Sequence, residues 1–282
     1  MSKTKRNPFA AKKGATKKSR TKVPKRVGPE QGDLPKPQWE PSWTGKSFSA
    51  ERFKHWVIGS DNRCLPASQD EFTDNINWRI LRIMSEFVEG FEFLSKFSNE
   101  VTVFGSARSN EKDPYYQIAR KFGKLCGKNG FTIITGGGPG MMEAANRGAF
   151  EVNGQSIGLT IQLPMEQRTN PYIQQSKDFH YFFTRKVMLS ASAQAYVFMP
   201  GGFGTMDELF EMVTLIQTGK MSDQIPVILI GKEFWKPMLK WIEKTMCQQY
   251  KAIGKEDLKI FQLVDTAEEA FAIIQKTTDR KL

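Results

Sequence analysis

Residues Tyr196 to Gly219 read Y-V-F-M-P-G-G-F-G-T-M-D-E-L-F-E-M-V-T-L-I-Q-T-G, and they decide the fold. Ala195 to Met199 is a short apolar run, as expected of a strand buried on both faces of a parallel sheet. Pro200 stops the run, because proline has no N–H for the ladder. Gly201, Gly202 and Gly204 then permit a sharp turn with exposed backbone. Met206, Leu209, Phe210, Val213 and Ile216 recur at helical spacing until Gly219. A strand that feeds a glycine turn and a helix start makes an anion site, since the first free N–H groups and the helix dipole both favour negative charge. Gly204 and Thr205 sit at those donors. Asp207 and Glu208 fall, on this pattern, in the same first turn. One reading is that they cap the helix. The other is that a carboxylate beside a phosphate is placed to act on what the phosphate carries. Spacing leaves both open.

The same alternation extends to either side. Glu100 to Gly105 reads as a strand and Tyr115 to Lys128 as a helix. Phe131 to Thr135 is a second strand, followed by Gly136-Gly137-Gly138-Pro139-Gly140 and a helix from Met141 to about Val152. Ser156 to Leu163 and Phe179 to Phe183 read as strands, Arg185 to Ser192 as a helix. Beyond Gly219 come a strand at Pro226 to Gly231, a helix at Glu233 to Gln249, a strand at Ile260 to Val264 and a helix at Thr266 to Gln275. Repeated strand–helix units imply an α/β domain over residues 99–282, a doubly wound, Rossmann-like parallel sheet covered on both faces. Residues 46–98 form an N-terminal helical extension. Its helix, Ser68 to Phe97, carries a stripe of Phe72, Ile76, Ile80, Ile83, Met84, Phe87 and Phe91, with Ser68 and Glu71 as a capping box. That stripe is expected to pack on the main domain or on a second subunit.

The charge is unevenly placed. Lys and Arg number 41 against 30 Asp and Glu, a net +11 over 282 residues. Residues 1–28 hold eleven Lys and Arg and no acid, so the remainder sums to zero. The basicity belongs to a tail, residues 1–45, whose composition predicts disorder. Such a tail suits nonspecific nucleic-acid contact by residues 1–28, or contact with anionic lipid. A solvated tail without a dedicated partner is preferred, because only Phe9 interrupts the charges. No apolar run is long enough to span a bilayer, and the basic N-terminus lacks a signal-peptide core, which excludes a membrane role and predicts a cytoplasmic protein. Cys64, Cys126 and Cys247 match no metal spacing and read as reduced thiols. With only His55 and His180, no metal site is expected.

In a doubly wound sheet, ligands bind beyond the carboxyl ends of the strands, near the switch in strand order. Three loops qualify: Gly105 to Arg108, Gly136 to Gly140, and the turn after Pro200. Two glycine turns, each between strand and helix, point to a phosphate-bearing ligand. Neither is G-x-G-x-x-G and neither ends in Gly-Lys-Ser/Thr, which argues against dehydrogenases and NTPases. No lysine stands in a pyridoxal-phosphate setting, so decarboxylation lacks its electron sink. A mononucleotide or sugar phosphate remains, with no cofactor. Arg185 is a cation near a helix start, where cations are unfavourable. A surface arginine paired with a carboxylate is the plainer account of it.

G-G-G-P-G-M-M-E-A-A-N-R-G-A at 136–149, T-R-K at 184–186 and P-G-G-F-G-T-M-D-E at 200–208 together resemble the Lonely Guy family. Its members are cytokinin riboside 5′-monophosphate phosphoribohydrolases, often mislabelled lysine decarboxylases. The resemblance covers roughly residues 95–275. It implies hydrolysis of the N-glycosidic bond of a nucleoside 5′-monophosphate, of the AMP or cytokinin riboside monophosphate type, to free base and ribose 5-phosphate. It further implies Arg185 and Glu208 as the catalytic pair, with Gly202, Gly204 and Thr205 on the phosphate and Gly137 and Gly138 lining the same pocket. Ser106, Arg108 and Glu143 would lie near the nucleotide. Against the plant-like G-G-G-x-x-G-x-M-G, the loop here is one residue shorter and Glu143 replaces the last glycine, as in a longer bacterial branch. Family members are commonly homodimers or larger assemblies. The alternative on the same loops is a non-catalytic carrier of a nucleotide or of a phosphorylated cofactor such as the molybdenum cofactor.

Overall fold

A computed structural model describes residues 76–162 and 169–280. The tail, the segment before Ile76 and the Ser68/Glu71 capping box lie outside the described residues. The element order is α1 (Ile76–Leu94), β1 (Glu100–Phe104), α2 (Pro114–Lys128), β2 (Thr132–Thr135), α3 (Met141–Phe150), β3 (Ser156–Ile161), β4 (Gln175–Phe179), α4 (Phe182–Ala191), β5 (Ala195–Phe198), α5 (Phe203–Gln217), β6 (Val227–Ile230), α6 (Lys232–Trp241), β7 (Phe261–Val264) and α7 (Ala267–Ile274). After α6 the chain continues as a wider turn over Ile242–Gln249, where the Tyr250 N–H reaches back five residues to Thr245 O.

The seven strands form one sheet in the order β4-β3-β2-β1-β5-β6-β7, every pair parallel. The chain winds outward from β1 through β4, then returns to the other side of β1 and winds out through β7. The switch therefore lies between β1 and β5, where Val101 to Phe104 pair with Ala195 to Phe198. This is the doubly wound architecture expected from the strand–helix alternation.

Alternation along the strands divides the core in two. Val101, Val103, Ile133, Val197 and Ile228 meet α2, α3 and α7 on one face. Phe104, Ile134, Leu159, Tyr196, Phe198 and Leu229 meet α1, α4, α5 and Trp235 of α6 on the other. The inner strands are buried on both faces, which is why β5 and β6 read as unbroken apolar runs and why β1 and β2 mix only Glu100 and threonines with their apolar residues. β4 is the exception. Its sequence is Q-S-K-D-F and only Phe179 is buried, because an edge strand ladders on one side and faces solvent. The expected strand at Phe179 to Phe183 is thereby corrected: the strand ends at Phe179, and Phe182 and Phe183 already belong to α4.

The apolar stripe of α1 splits. Gly90 and Leu94 are buried against the body, with the Gly90 backbone close to Met188 Sδ, whereas Ile76, Ile80, Met84 and Phe91 stay exposed. The most informative buried residue of this helix is charged. Glu86 is only 8% exposed and accepts hydrogen bonds from the N–H groups of His180 (2.8 Å) and Tyr181 (3.3 Å) and from the Thr184 hydroxyl (2.6 Å). α4 has no side-chain cap of its own, so α1 supplies one from outside the helix. Among the described residues no helix is long and apolar enough to cross a membrane.

Candidate active site

The loops after β1 and β5 meet at the switch. The Ser106 N–H donates to Pro200 O (3.0 Å), and Ser106 O accepts from the Met141 N–H (2.9 Å) at the start of α3. One residue thus ties together the loops after three strands. The approach of α3 needs Gly140, whose φ is +73° and where an added Cβ would stand 2.3 Å from Ser106 O. The Ser106 hydroxyl accepts from the Arg108 N–H (3.1 Å) and tightens the turn that carries the Arg108 side chain.

A cavity of about 670 Å³ opens over this junction. The start of α5 forms one wall. α5 begins at Phe203, so the N–H groups of Phe203, Gly204 and Thr205 occupy its first turn and have no helical partner. The next donor, Met206 N–H, already bonds to Gly202 O at 3.0 Å. Nothing lies within 4 Å of where a Cβ would stand on Gly202 or Gly204, so a ligand could approach the backbone there. Thr205 is buried, with its side chain packed against Gly201. This placement corrects one reading: Asp207 and Glu208 lie in the second turn of α5, not the first, and no side chain caps the helix. Capping therefore does not account for them.

Glu208 and Arg185 both line the cavity. Glu208 follows Gly204 by four residues, so the two share a helix face about 6 Å apart along the axis, and its side chain leans back toward the N-terminus. Burial pushes its carboxyl up to about 7, with Asp207 and Glu211 adding to the rise and Arg185 and Lys186 opposing it. Arg185 comes from the first turns of α4. Its Nε donates to Leu159 O (2.8 Å), within β3, and its Nη2 to Gly136 O (3.5 Å), just after β2. Burial holds the guanidinium below its usual range and Glu208 works against that. The arginine is therefore anchored on backbone carbonyls rather than paired at the surface, and it faces a carboxylate across the cavity.

Of the residues expected at the site, Arg185, Glu208, Gly202, Gly204, Thr205, Ser106 and Arg108 all line this one cavity. Gly137, Gly138 and Glu143 do not. Gly136 lines it instead, and the next two glycines turn inward. Gly137 N–H donates to Thr135 Oγ1 (3.0 Å), and the Asn170 side chain donates to Gly137 O (3.3 Å) and Gly138 O (3.1 Å). Asn170 also donates to Asn146 Oδ1 (3.0 Å), which accepts from Thr135 Oγ1 (2.6 Å), while Asn146 Nδ2 donates to Ser156 Oγ (2.9 Å). This buried polar chain shapes the loop, and so the Gly136 edge of the cavity, without entering it. Glu143 accepts from the Tyr116 hydroxyl (3.2 Å) on the α2–α3 side. Sequence reasoning missed the apolar wall: Phe104, Met142, Phe182, Phe203 and Met206. Its signal was present in Phe203, a phenylalanine inside a glycine turn. Among the described residues no cluster of His, Cys, Asp or Glu could hold a metal ion.

A family model described as "Possible lysine decarboxylase" matches residues 142–274, from the start of α3 to the end of α7. A cytokinin riboside 5′-monophosphate phosphoribohydrolase of Rhodococcoides fascians is 25% identical over 153 residues, which span 53% of this chain and 77% of that protein. The cytokinin riboside 5′-monophosphate phosphoribohydrolase LOG of Oryza sativa subsp. japonica is 27% identical over 179 residues, 62% of this chain and 72% of its own. The solved molybdenum cofactor carrier protein of Chlamydomonas reinhardtii superposes with a TM-score of 0.47 at 22% identity, covering 63% of this chain and 96% of that one. Through its matched residues and these relatives the chain is similar to the Lonely Guy family, as the glycine loops and Thr184-Arg185-Lys186 suggested.

Proposed function

We propose that the protein hydrolyses the N-glycosidic bond of nucleoside 5′-monophosphates, releasing free base and ribose 5-phosphate. The observation that carries this reading is that the open first turn of α5, Glu208 on the same helix face and Arg185 opposite all line one cavity. The 5′-phosphate sits on the N–H groups of Gly204 and Thr205 at the helix start, where the dipole and the unpaired donors favour an anion. Glu208, about 6 Å further along the axis, then stands beside the sugar. The bond from C1′ to the base nitrogen breaks with its electron pair leaving on the base, and the ribose gains oxocarbenium character. The ionised Glu208 carboxylate stabilises that charge and takes a proton from the water whose oxygen joins C1′. Arg185, desolvated and fixed on Leu159 O and Gly136 O, offsets the negative charge left on the base, until the base nitrogen takes a proton from solvent and Glu208 returns its own.

The relatives named above act, by their names, on cytokinin riboside 5′-monophosphates. For this chain the substrate class is AMP or a cytokinin riboside monophosphate. Pyridoxal chemistry does not fit. No lysine is among the described residues that line the cavity, so they offer a Schiff base no amine, and Lys186 bonds to carboxylates on α5. A homodimer is part of the same reading, supported by the exposed Ile80, Leu81, Met84 and Val88 of α1.

The test is incubation with AMP, GMP, CMP, UMP and isopentenyladenosine monophosphate, followed by chromatography of the free base. Release from at least one, lost in Glu208→Gln with nucleotide affinity kept, is the expected result. Nucleotide binding with no release by the wild type would favour the carrier reading instead.

A further inference from the structure

Lys186 follows Arg185 on α4 but points out of the cavity. Its Nζ lies 2.9 Å from Asp207 Oδ2 and 3.2 Å from Glu211 Oε2. The first contact is a hydrogen bond; the second is an ion pair off the hydrogen-bond direction, and Glu211 Oε2 is otherwise without a hydrogen-bond partner although buried. Asp207 and Glu211 are one turn apart on α5 and flank Glu208. α5 therefore presents three carboxylates to α4, which answers with two consecutive cations.

We propose that Lys186 is a positioning residue for Arg185 and Glu208: bridging Asp207 and Glu211, it braces α4 on α5 and sets the spacing and charge balance of the two groups that face the substrate. Its kinetic consequence rests on the phosphoribohydrolase reading; its structural consequence does not.

A surface ion pair contributes little to stability, and Asp207 is largely exposed, so holding the fold together is a poor account of the bridge. Its charge effect on the neighbour is direct. The charged groups around Glu208 are Arg185 and Lys186 from α4, Asp207 and Glu211 on its own helix, and Arg108 on the cavity wall from the loop after β1. Burial favours the neutral carboxyl, Asp207 and Glu211 push the same way, and the two α4 cations push back. Loss of Lys186 removes one opposing cation and leaves two carboxylates unneutralised. Loss of the Glu211 charge acts in the opposite direction. The same bridge drives Lys186 itself: burial lowers its titration point, and the contacts with the Asp207 and Glu211 carboxylates outweigh that, so the net shift is upward.

The experiment uses the full chain as wild type, Lys186→Met, Lys186→Arg and Glu211→Gln. Two quantities are measured: the Glu208 titration midpoint, by NMR of carboxyl-labelled glutamate, and kcat and KM for AMP across pH. In Lys186→Met the midpoint rises by about one pH unit, and in Glu211→Gln it falls. kcat of Lys186→Met drops about tenfold or more near neutral pH while KM changes less than about threefold, the pattern of misplaced catalytic groups. Lys186→Arg restores both the midpoint and most of kcat. Unmoved midpoints in Lys186→Met and Glu211→Gln would overturn the proposal, as would a Lys186→Arg variant as impaired as Lys186→Met. If wild type releases no base from any nucleotide, the phosphoribohydrolase reading fails, and the opposite midpoint shifts alone decide the positioning role.

Discussion

The Thr184 hydroxyl donates a 2.6 Å hydrogen bond to the Glu86 carboxylate across 98 residues of chain, one position before Arg185. The same carboxylate takes the His180 and Tyr181 N–H groups. A helix outside the residues that match the family model thus fixes the entry to α4, and through α4 the orientation of the arginine.

Glu86→Ala leaves the His180 and Tyr181 N–H groups without their acceptor, while the Thr184 hydroxyl keeps Tyr181 O (2.8 Å). The expected loss is about 2 kcal/mol, from the cap and the buried unsatisfied donors together. Urea denaturation measures it. Glu86→Gln keeps an acceptor oxygen and should lose less. If both variants are as stable as wild type, α1 does not hold α4 in this way.

Glu208 sets the pH dependence. Its carboxyl titrates at about 7 in the folded protein against an ordinary 4.5, so the native state binds more protons than the unfolded state between those values. Stability contributed by this group is therefore full below the unfolded value and is lost as pH rises through the folded one. On the proposed function ionised Glu208 is the catalytic form, so kcat/KM should climb as pH rises through about 7. Activity and stability thus run in opposite directions. Glu208→Gln should remove the activity, and at pH 8 it should be more stable than wild type by on the order of 1 kcal/mol. Glu100 provides the control. It is buried at the foot of β1, and burial raises it to about 7 as well, but it lies at the end of the sheet away from the cavity. Glu100→Gln should flatten the stability profile in the same way and leave the pH–rate profile unchanged.

Two glycines separate folding from binding. At Gly140 the φ of +73° and the approach of Ser106 O within 2.3 Å of any Cβ make Gly140→Ala costly, about 3 kcal/mol or more. At Gly204 there is open space and ordinary backbone, so Gly204→Ala should fold with stability within about 0.5 kcal/mol of wild type. On the proposed function its new methyl stands where the phosphate approaches, and KM for AMP should rise about tenfold or more, from lost contact to the helix start. Thermal melts and initial rates on both variants check the contrast.

The sheet was legible because β1, β2, β5 and β6 are buried on both faces and are short and rich in β-branched and apolar residues. β4 was not, because Gln175 to Asp178 face solvent and carry no apolar signal. The α5 loop was legible from Pro200 and its glycines, yet its helix start was placed late, since a phenylalanine at the first helical position looks like any loop residue. Gly137 and Gly138 illustrate the limit of glycine reasoning. Their backbone freedom was read as room for a phosphate, but it serves contacts with Asn170 and Thr135. No local pattern could pair Asn146 with Asn170, or Glu86 with Thr184, because those contacts are made only when distant segments fold together.

On the proposed function, Phe203 is expected to set how the site treats the base. It is 97% exposed, at the first position of α5 and on the cavity wall, and burial of a phenyl ring is normally favourable by about 1.5–3 kcal/mol. Phe182 stands at the first position of α4 in the same cavity, also largely exposed. With the polar groups gathered at Arg185, Glu208 and the loops, these rings offer the base a π-face and no hydrogen-bond code. Stacking tolerates every base and is worth about 1–3 kcal/mol by alanine substitution in other base-binding proteins. Phe203→Ala should therefore raise KM about tenfold for AMP and GMP alike, leave kcat within about threefold, and not change their ratio of kcat/KM. A change in sedimentation with unaltered KM would instead make Phe203 an interface residue, and a large change in the AMP-to-GMP ratio would mean that the ring reads the base edge.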